Sequence, residues 1–84
     1  MSAVLRDAQP IPMPPRAAPR FEPRTARIRI RIDGVWRHGH IQRWARLPDG
    51  SWAAWLSWQV DPEHPTIAPE WGWYRFDPET IKPA

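Results

Sequence analysis

Residues 27 to 32 read Arg-Ile-Arg-Ile-Arg-Ile, and strict alternation over six positions is a period that only an extended strand can use. It sends Ile28, Ile30 and Ile32 to one face and Arg27, Arg29 and Arg31 to the other. A half-buried sheet is therefore required here, and a helix is excluded. Asp33-Gly34 follows, a pair that tolerates positive φ at the centre of a two-residue hairpin turn. Val35 to Leu47 then supplies a long second strand, with Gly39 at the point where the alternation breaks, as at a bulge or bend.

The second Asp-Gly, at 49 and 50, sets the register of the next hairpin. With those two residues as the loop, Leu47 faces Trp52, Ala45 faces Ala54, Arg43 faces Leu56 and Ile41 faces Trp58. One face is then almost wholly apolar. A loop one residue longer would pair Trp52 with Arg46 and Leu56 with Gln42, placing polar groups on that face, so the pattern selects the shorter loop. The selected register predicts that Trp52 and Trp58 are buried and that Trp55 is exposed opposite Trp44. Beyond Val60, three prolines within 61 to 69 rule out a ladder strand. Trp71 to Phe76 resumes a short strand. Asp77-Pro78-Glu79-Thr80 offers a capping Asp with Pro at the first helical position, enough for one 3₁₀ turn, before a last strand at Ile81-Lys82.

Strand, turn, a Gly-Val-Trp-Arg-His-Gly segment (Gly34 to Gly39), long hairpin, short aromatic strand, one 3₁₀ turn and a terminal strand ending Ile-Lys-Pro resemble, in that order, an SH3-like barrel of the Tudor, Agenet and integrase C-terminal kind. The resemblance spans about Arg27 to Pro83 and lies in element order. It implies an all-β fold, a small five-stranded antiparallel barrel. It also implies a binding role, because such domains hold methylated peptides in aromatic cages, peptides in aromatic grooves, or nucleic acid on basic strands.

The 84 residues include twelve Pro, of which six precede Arg24. That composition favours extended, solvated backbone, so residues 1 to 25 are expected to be a disordered Pro/Arg-rich tail and residues 26 to 84 the folded domain. Ile11 to Arg16 has the look of a ligand for Pro-rich-binding grooves, or of a plain linker. A domain of about 60 residues is marginal on core size alone, and with no Cys there is no disulfide or thiolate site to support it. The seven Trp must carry much of the burial.

Charge divides the chain into a basic front and an acidic back. Residues 1 to 47 hold ten Arg against Asp7, Glu22 and Asp33, while residues 48 to 84 hold Arg75 and Lys82 against six carboxylates. Eleven of the twelve cations are Arg, whose planar fork pairs with phosphate or carboxylate and stacks on aromatic rings. The Arg bias is also what a GC-rich genome would give. No apolar run is long enough for a signal or a membrane span, which points to a cytoplasmic protein without membrane association.

Catalytic and metal chemistry find little support. His38 and His40 share a strand face, but with His64 distant and no Cys they lack the further ligands a zinc site needs. Ser51 and Ser57 have no His or Asp partner that the register brings near, and no Gly-rich phosphate loop occurs. The chain is expected to be no enzyme and to need no cofactor. A nucleic-acid-binding module is the favoured reading, resting on Arg27, Arg29, Arg31, Arg37, Arg43 and Arg46 with Trp44 and Trp55 as stacking platforms. The alternative is an adaptor binding protein or peptide in an aromatic groove, favoured by the acidic back half. A sugar-binding module would suit the Trp density but usually goes with secretion.

Overall fold

The computed structural model describes residues 6–16, 18, 20–21 and 26–84. It contains β1 (Arg20–Phe21), β2 (Ala26–Ile32), β3 (Val35–Arg46), β4 (Trp52–Trp58), β5 (Glu70–Arg75) and β6 (Ile81–Pro83). The described residues form no helix. Five strands lie in the order β5-β4-β3-β2-β6 with antiparallel neighbours, and the two-residue β1 sits beside the far end of β3. β3 thus has β2 along its first part, β1 at its end, and β4 on its other side.

Alternation in β2 does what its sequence dictates. Ile28, Ile30 and Ile32 are buried with Ile41, Leu56, Ile81 and Tyr74, and Trp44 and Trp58 pack against this cluster. The Trp58 indole N–H donates to the Tyr74 hydroxyl at 3.1 Å, so both rings keep their polar atoms satisfied. The other face of the sheet carries a smaller cluster of Ala45, Ala53 and Trp73, joined by Ile11, Leu47 and Trp55. We call the first the inner face and the second the outer face.

The first turn forms as expected, with Asp33 at φ 50° and Gly34 at φ 75°. The second does not. Leu47 N–H donates to the Ser51 carbonyl and Gly50 N–H to the Leu47 carbonyl, so the loop is longer than Asp49-Gly50 and Arg46 pairs with Trp52. A bulge between Ile41 and Arg43 then shifts the register, which pairs Leu56 with Ile41 and spares Gln42 from the inner face. Arg46 is accommodated because its guanidinium lies 4.9 Å over the Trp52 ring. With this register Trp44 and Trp55 fall on opposite faces, correcting the expectation that they form a pair. Trp52, Trp55 and Trp58 are all half-buried, since each face carries its own aromatic cluster.

The Asp49 carboxylate organises this loop. It accepts from the Ser51 hydroxyl and, at 2.9 Å, from the Ser51 amide, with Arg75 3.3 Å away. These donors, the hydroxyl foremost, hold its pKa down at about 2. Because the folded value is depressed, its contribution to stability is full above the ordinary carboxylate pKa and is lost as pH falls toward 2. An NMR titration of the side-chain carboxyl should show this low midpoint, and Ser51→Ala should move it back toward the ordinary value. A midpoint that Ser51→Ala leaves unchanged would contradict the arrangement.

At 77 to 80 the chain makes the one expected hydrogen-bonded turn, and the described residues there form no helix. The amides of Thr80 and Ile81 both donate to the Asp77 carbonyl, while Glu79 N–H caps on the Asp77 carboxylate.

The leader departs most from expectation. β5 and β6 are not paired with each other, so strand pairing leaves the sheet open. Residues of the expected tail instead bond to the edge strand β5 and to the end of β2 beyond its pairing with β6: Ala8 N–H to the Arg31 carbonyl at 2.8 Å, Ile11 N–H to the Trp73 carbonyl at 2.9 Å, and Arg75 N–H to the Gln9 carbonyl at 3.0 Å. Pro10 bridges Tyr74, Ala8 enters the inner core, and β1 pairs with β3. A Pro-rich segment can do this because an edge strand needs only some of its N–H groups. Residues 1–5, 17, 19 and 22–25 of that segment lie outside the described residues.

Candidate functional site

The outer face is where the exposed side chains of the Arg strand converge with those of its neighbours. Ladder partners share a face, so three rows can be read across the sheet. Lys82, Arg29 and His38 form one; Arg27, His40, Ser57 and Trp71 form the next; Arg43, Trp55 and Trp73 form the third. Every charged residue in these rows is a cation.

Arg27 and Arg29 are exposed and make no ion pair or hydrogen bond through their side chains among the described residues. Placing Lys82 directly across from Arg29 costs stability, as like charges opposite one another do. Lys82 recovers part of this by lying 5.8 Å over the Trp36 ring. The described carboxylates with side-chain partners lie outside these rows, Asp7 on the same face at Arg31 and the Gly34 amide, Asp49 at Arg75, Asp61 at His64 and Asp77 at Arg6. Glu70, in the Gly39 and Trp58 row, belongs to the inner face.

Aromatic surface borders the cations. Trp71 is 44% exposed and stacks on Trp55 with ring centres 5.9 Å apart and planes 24° apart, and Trp55 in turn leans on Trp73 at 5.7 Å. Two concavities border these rows. One, of about 530 Å³, is lined by Trp55, Trp73, Gln42 and Arg43 of the sheet and by Met13, Arg16 and Arg20 of the leader. The other, of about 300 Å³, lies between His38, His40 and Ser57 and the loop residues Pro65, Ile67 and Pro69.

Of the residues expected to form a site, Arg27, Arg29, Arg43 and Trp55 come together on the outer face. Arg31 shares that face but is only 16% exposed and lies 3.4 Å from Asp7, an ion pair without hydrogen-bond geometry. Three others do not join them. Arg37 lies on the inner face, its guanidinium 5.3 Å over Trp58 and donating to the Val60 carbonyl. Arg46 covers Trp52, and Trp44 meets Trp52 and Phe76 edge to face. The slipped register is the cause for Arg46 and Trp44. Arg37 faces inward because it pairs with Ile30.

Sequence reasoning missed Trp71, Trp36, Lys82 and the role of His38 and His40 as neighbours of the cations. The histidines were legible, since they share a strand face with period two. Lys82 and Trp71 needed the pairings of β6 with β2 and of β5 with β4.

Comparison of the chain with protein-family models, with curated proteins and with solved structures returned no match. Among the described residues no group of three or more His, Cys, Asp or Glu side chains could hold a metal ion, and no helix is long and apolar enough to cross a membrane.

Proposed function

We propose that the chain is a non-enzymatic binding module, an SH3-like barrel closed by its own leader, that takes single-stranded nucleic acid on its outer face. One observation carries this reading: the exposed cations Lys82 and Arg29 stand side by side across β6 and β2, with Arg27 next along β2 and Arg43 a row further on, without a carboxylate in their rows, and they lead to an exposed indole. A bound anionic polymer would relieve the repulsion between these cations. Alternate residues along a strand lie about 7 Å apart, close to the phosphate spacing of an extended strand. Trp71 supplies the π-face that unpaired bases offer to stack on, whatever their identity. The setting that suits this reading is the cytoplasm, where such polymers are met.

The smaller concavity supports a second reading. Its Pro65, Ile67 and Pro69 wall is apolar, which suits an extended peptide and hence an adaptor.

Salt titration separates the two. Arg27→Gln with Arg29→Gln should leave folding intact, because exposed charges add little stability. It should flatten the slope of log affinity against log salt by roughly 0.7 for each phosphate that is no longer neutralised. Trp71→Ala should weaken strand binding by about 1 to 3 kcal/mol at unchanged slope, since stacking releases no counterions. Absence of binding to any single strand at about 50 mM salt, where electrostatic affinity is strong, would leave the adaptor reading in its place.

A further inference from the structure

The larger concavity has features that a smooth electrostatic face would not require. Its base is aromatic, formed by Trp55 and Trp73, whose planes are tilted by 48°. Gln42 stands at its edge because the bulge between Ile41 and Arg43 takes that residue out of ladder register. The leader builds the remaining wall. Arg20 is pinned there by donating to the carbonyls of Pro14 at 3.1 Å and Arg16 at 3.2 Å, and its guanidinium lies 5.9 Å over the Trp73 ring. Arg16 is exposed and its guanidinium has no partner among the described residues. Met13, 74% exposed, places a soft thioether at the mouth.

This chemistry selects its ligand. An aromatic floor alone would suit a methylated ammonium group as well as a planar ring. Guanidinium groups on the wall repel a cation and attract a phosphate. The amide of Gln42 offers a donor and an acceptor side by side, the arrangement that matches the edge of a nucleobase. The volume, about 530 Å³, is of the order that a small-molecule site requires.

We infer that this concavity receives one unpaired nucleotide, its base against Trp55 with Gln42 on the base edge and its phosphate toward Arg16 and Arg20. The inference rests on the nucleic-acid reading of the outer face. The Trp55 row lies beside the Arg27, His40, Ser57 and Trp71 row, so a strand lying on the cations reaches the concavity within about one nucleotide. The bulge and the leader then have a joint purpose, which is to turn a general phosphate surface into one that registers a base.

The test uses the full chain and two strands of about ten nucleotides, one wholly abasic and one carrying a single base at its centre. Their affinities are compared by fluorescence anisotropy at low salt. The base-bearing strand should bind roughly tenfold more tightly. Met13→Ala with Gln42→Ala should reduce that advantage while leaving abasic binding unchanged. Both residues are exposed, so the variant should retain the near-ultraviolet circular dichroism of the parent. Trp71→Ala should retain the advantage. Equal binding of the two strands, or an advantage that Trp71→Ala removes and the Met13/Gln42 variant keeps, overturns the inference while the cationic face stands. Binding of neither strand overturns both.

Discussion

A chain lacking residues 1 to 12 is expected to lose its cooperative unfolding transition, or to show it at a much lower urea midpoint than the full chain. Composition alone would predict no change, because a Pro/Arg-rich tail contributes nothing to a fold. The packing of the leader predicts otherwise. Ala8 is 6% exposed within the inner core, and its amide bonds to Arg31 while Gln9 and Ile11 bond to β5. Arg6 pairs with Asp77 at 2.6 Å, and Asp7 holds the Gly34 amide at 2.9 Å. Ile11 adds apolar cover to Trp73. Three backbone hydrogen bonds at about 1 kcal/mol each, together with the opened core, make a loss of about 5 kcal/mol. That is comparable with the whole stability of a domain this small. Ala8→Asp, which puts a charge into the core without shortening the chain, should act in the same direction. Unchanged midpoints for both would show that the leader is only resting on the sheet.

Gly39→Ala should cost about 3 kcal/mol or more, whereas Gly72→Ala should cost about 1 kcal/mol. Gly39 is not at positive φ, so the conflict is steric: a Cβ there would stand 2.3 Å from the Ser57 carbonyl oxygen and 3.4 Å from Trp58 Cα. Those are backbone atoms of the paired strand. They can yield only if β3 and β4 separate at the centre of the sheet. At Gly72 the nearest atom is Cε1 of the Tyr74 ring at 3.2 Å, a side chain that can turn aside by a few tenths of an ångström. Urea unfolding of the two variants against the parent measures the difference. Equal costs would mean that β3 and β4 approach one another less closely at Gly39.

These two glycines also show what the sequence could and could not convey. Gly39 was readable as an irregularity because alternation fails there, but the reason, a carbonyl of β4 against its Cα, depends on a partner that sequence does not identify. The Arg-Ile strand and the Asp33-Gly34 turn were legible in full, since each rests on local rules of period and φ. The second hairpin was not, because two deviations compensate: a longer loop moves every pairing by one, and the bulge at Gln42 moves the distal half again. A pattern argument that allows one register per hairpin must choose wrongly in such a case, and it displaced Trp44 and Arg46 to the wrong face. Residues 8 to 11 of the leader were misjudged for a different reason. Prolines exclude a central strand, yet at an edge Pro10 needs no donor, and its neighbours Gln9 and Ile11 supply the bonds. Arg27 and Arg29 were placed correctly because outward-facing positions follow from the same alternation that buries the isoleucines.

For a neighbouring molecule in a crowded solution, the seating of the leader decides what this one offers. A sheet with unpaired outer strands is a template on which further chains can add. Here β6 is three residues long, carries Lys82 and ends at Pro83, while the stretch of β5 from Trp73 to Arg75 has its bonding groups taken by residues 9 to 11. Among the described residues Glu70 to Gly72 of β5 has no such cover, and the carboxylate of Glu70 would meet its own likeness in a second copy joined edge to edge. The segment that bonds to both β2 and β5 thereby also takes up edge groups on which a second copy of this chain would otherwise add a strand.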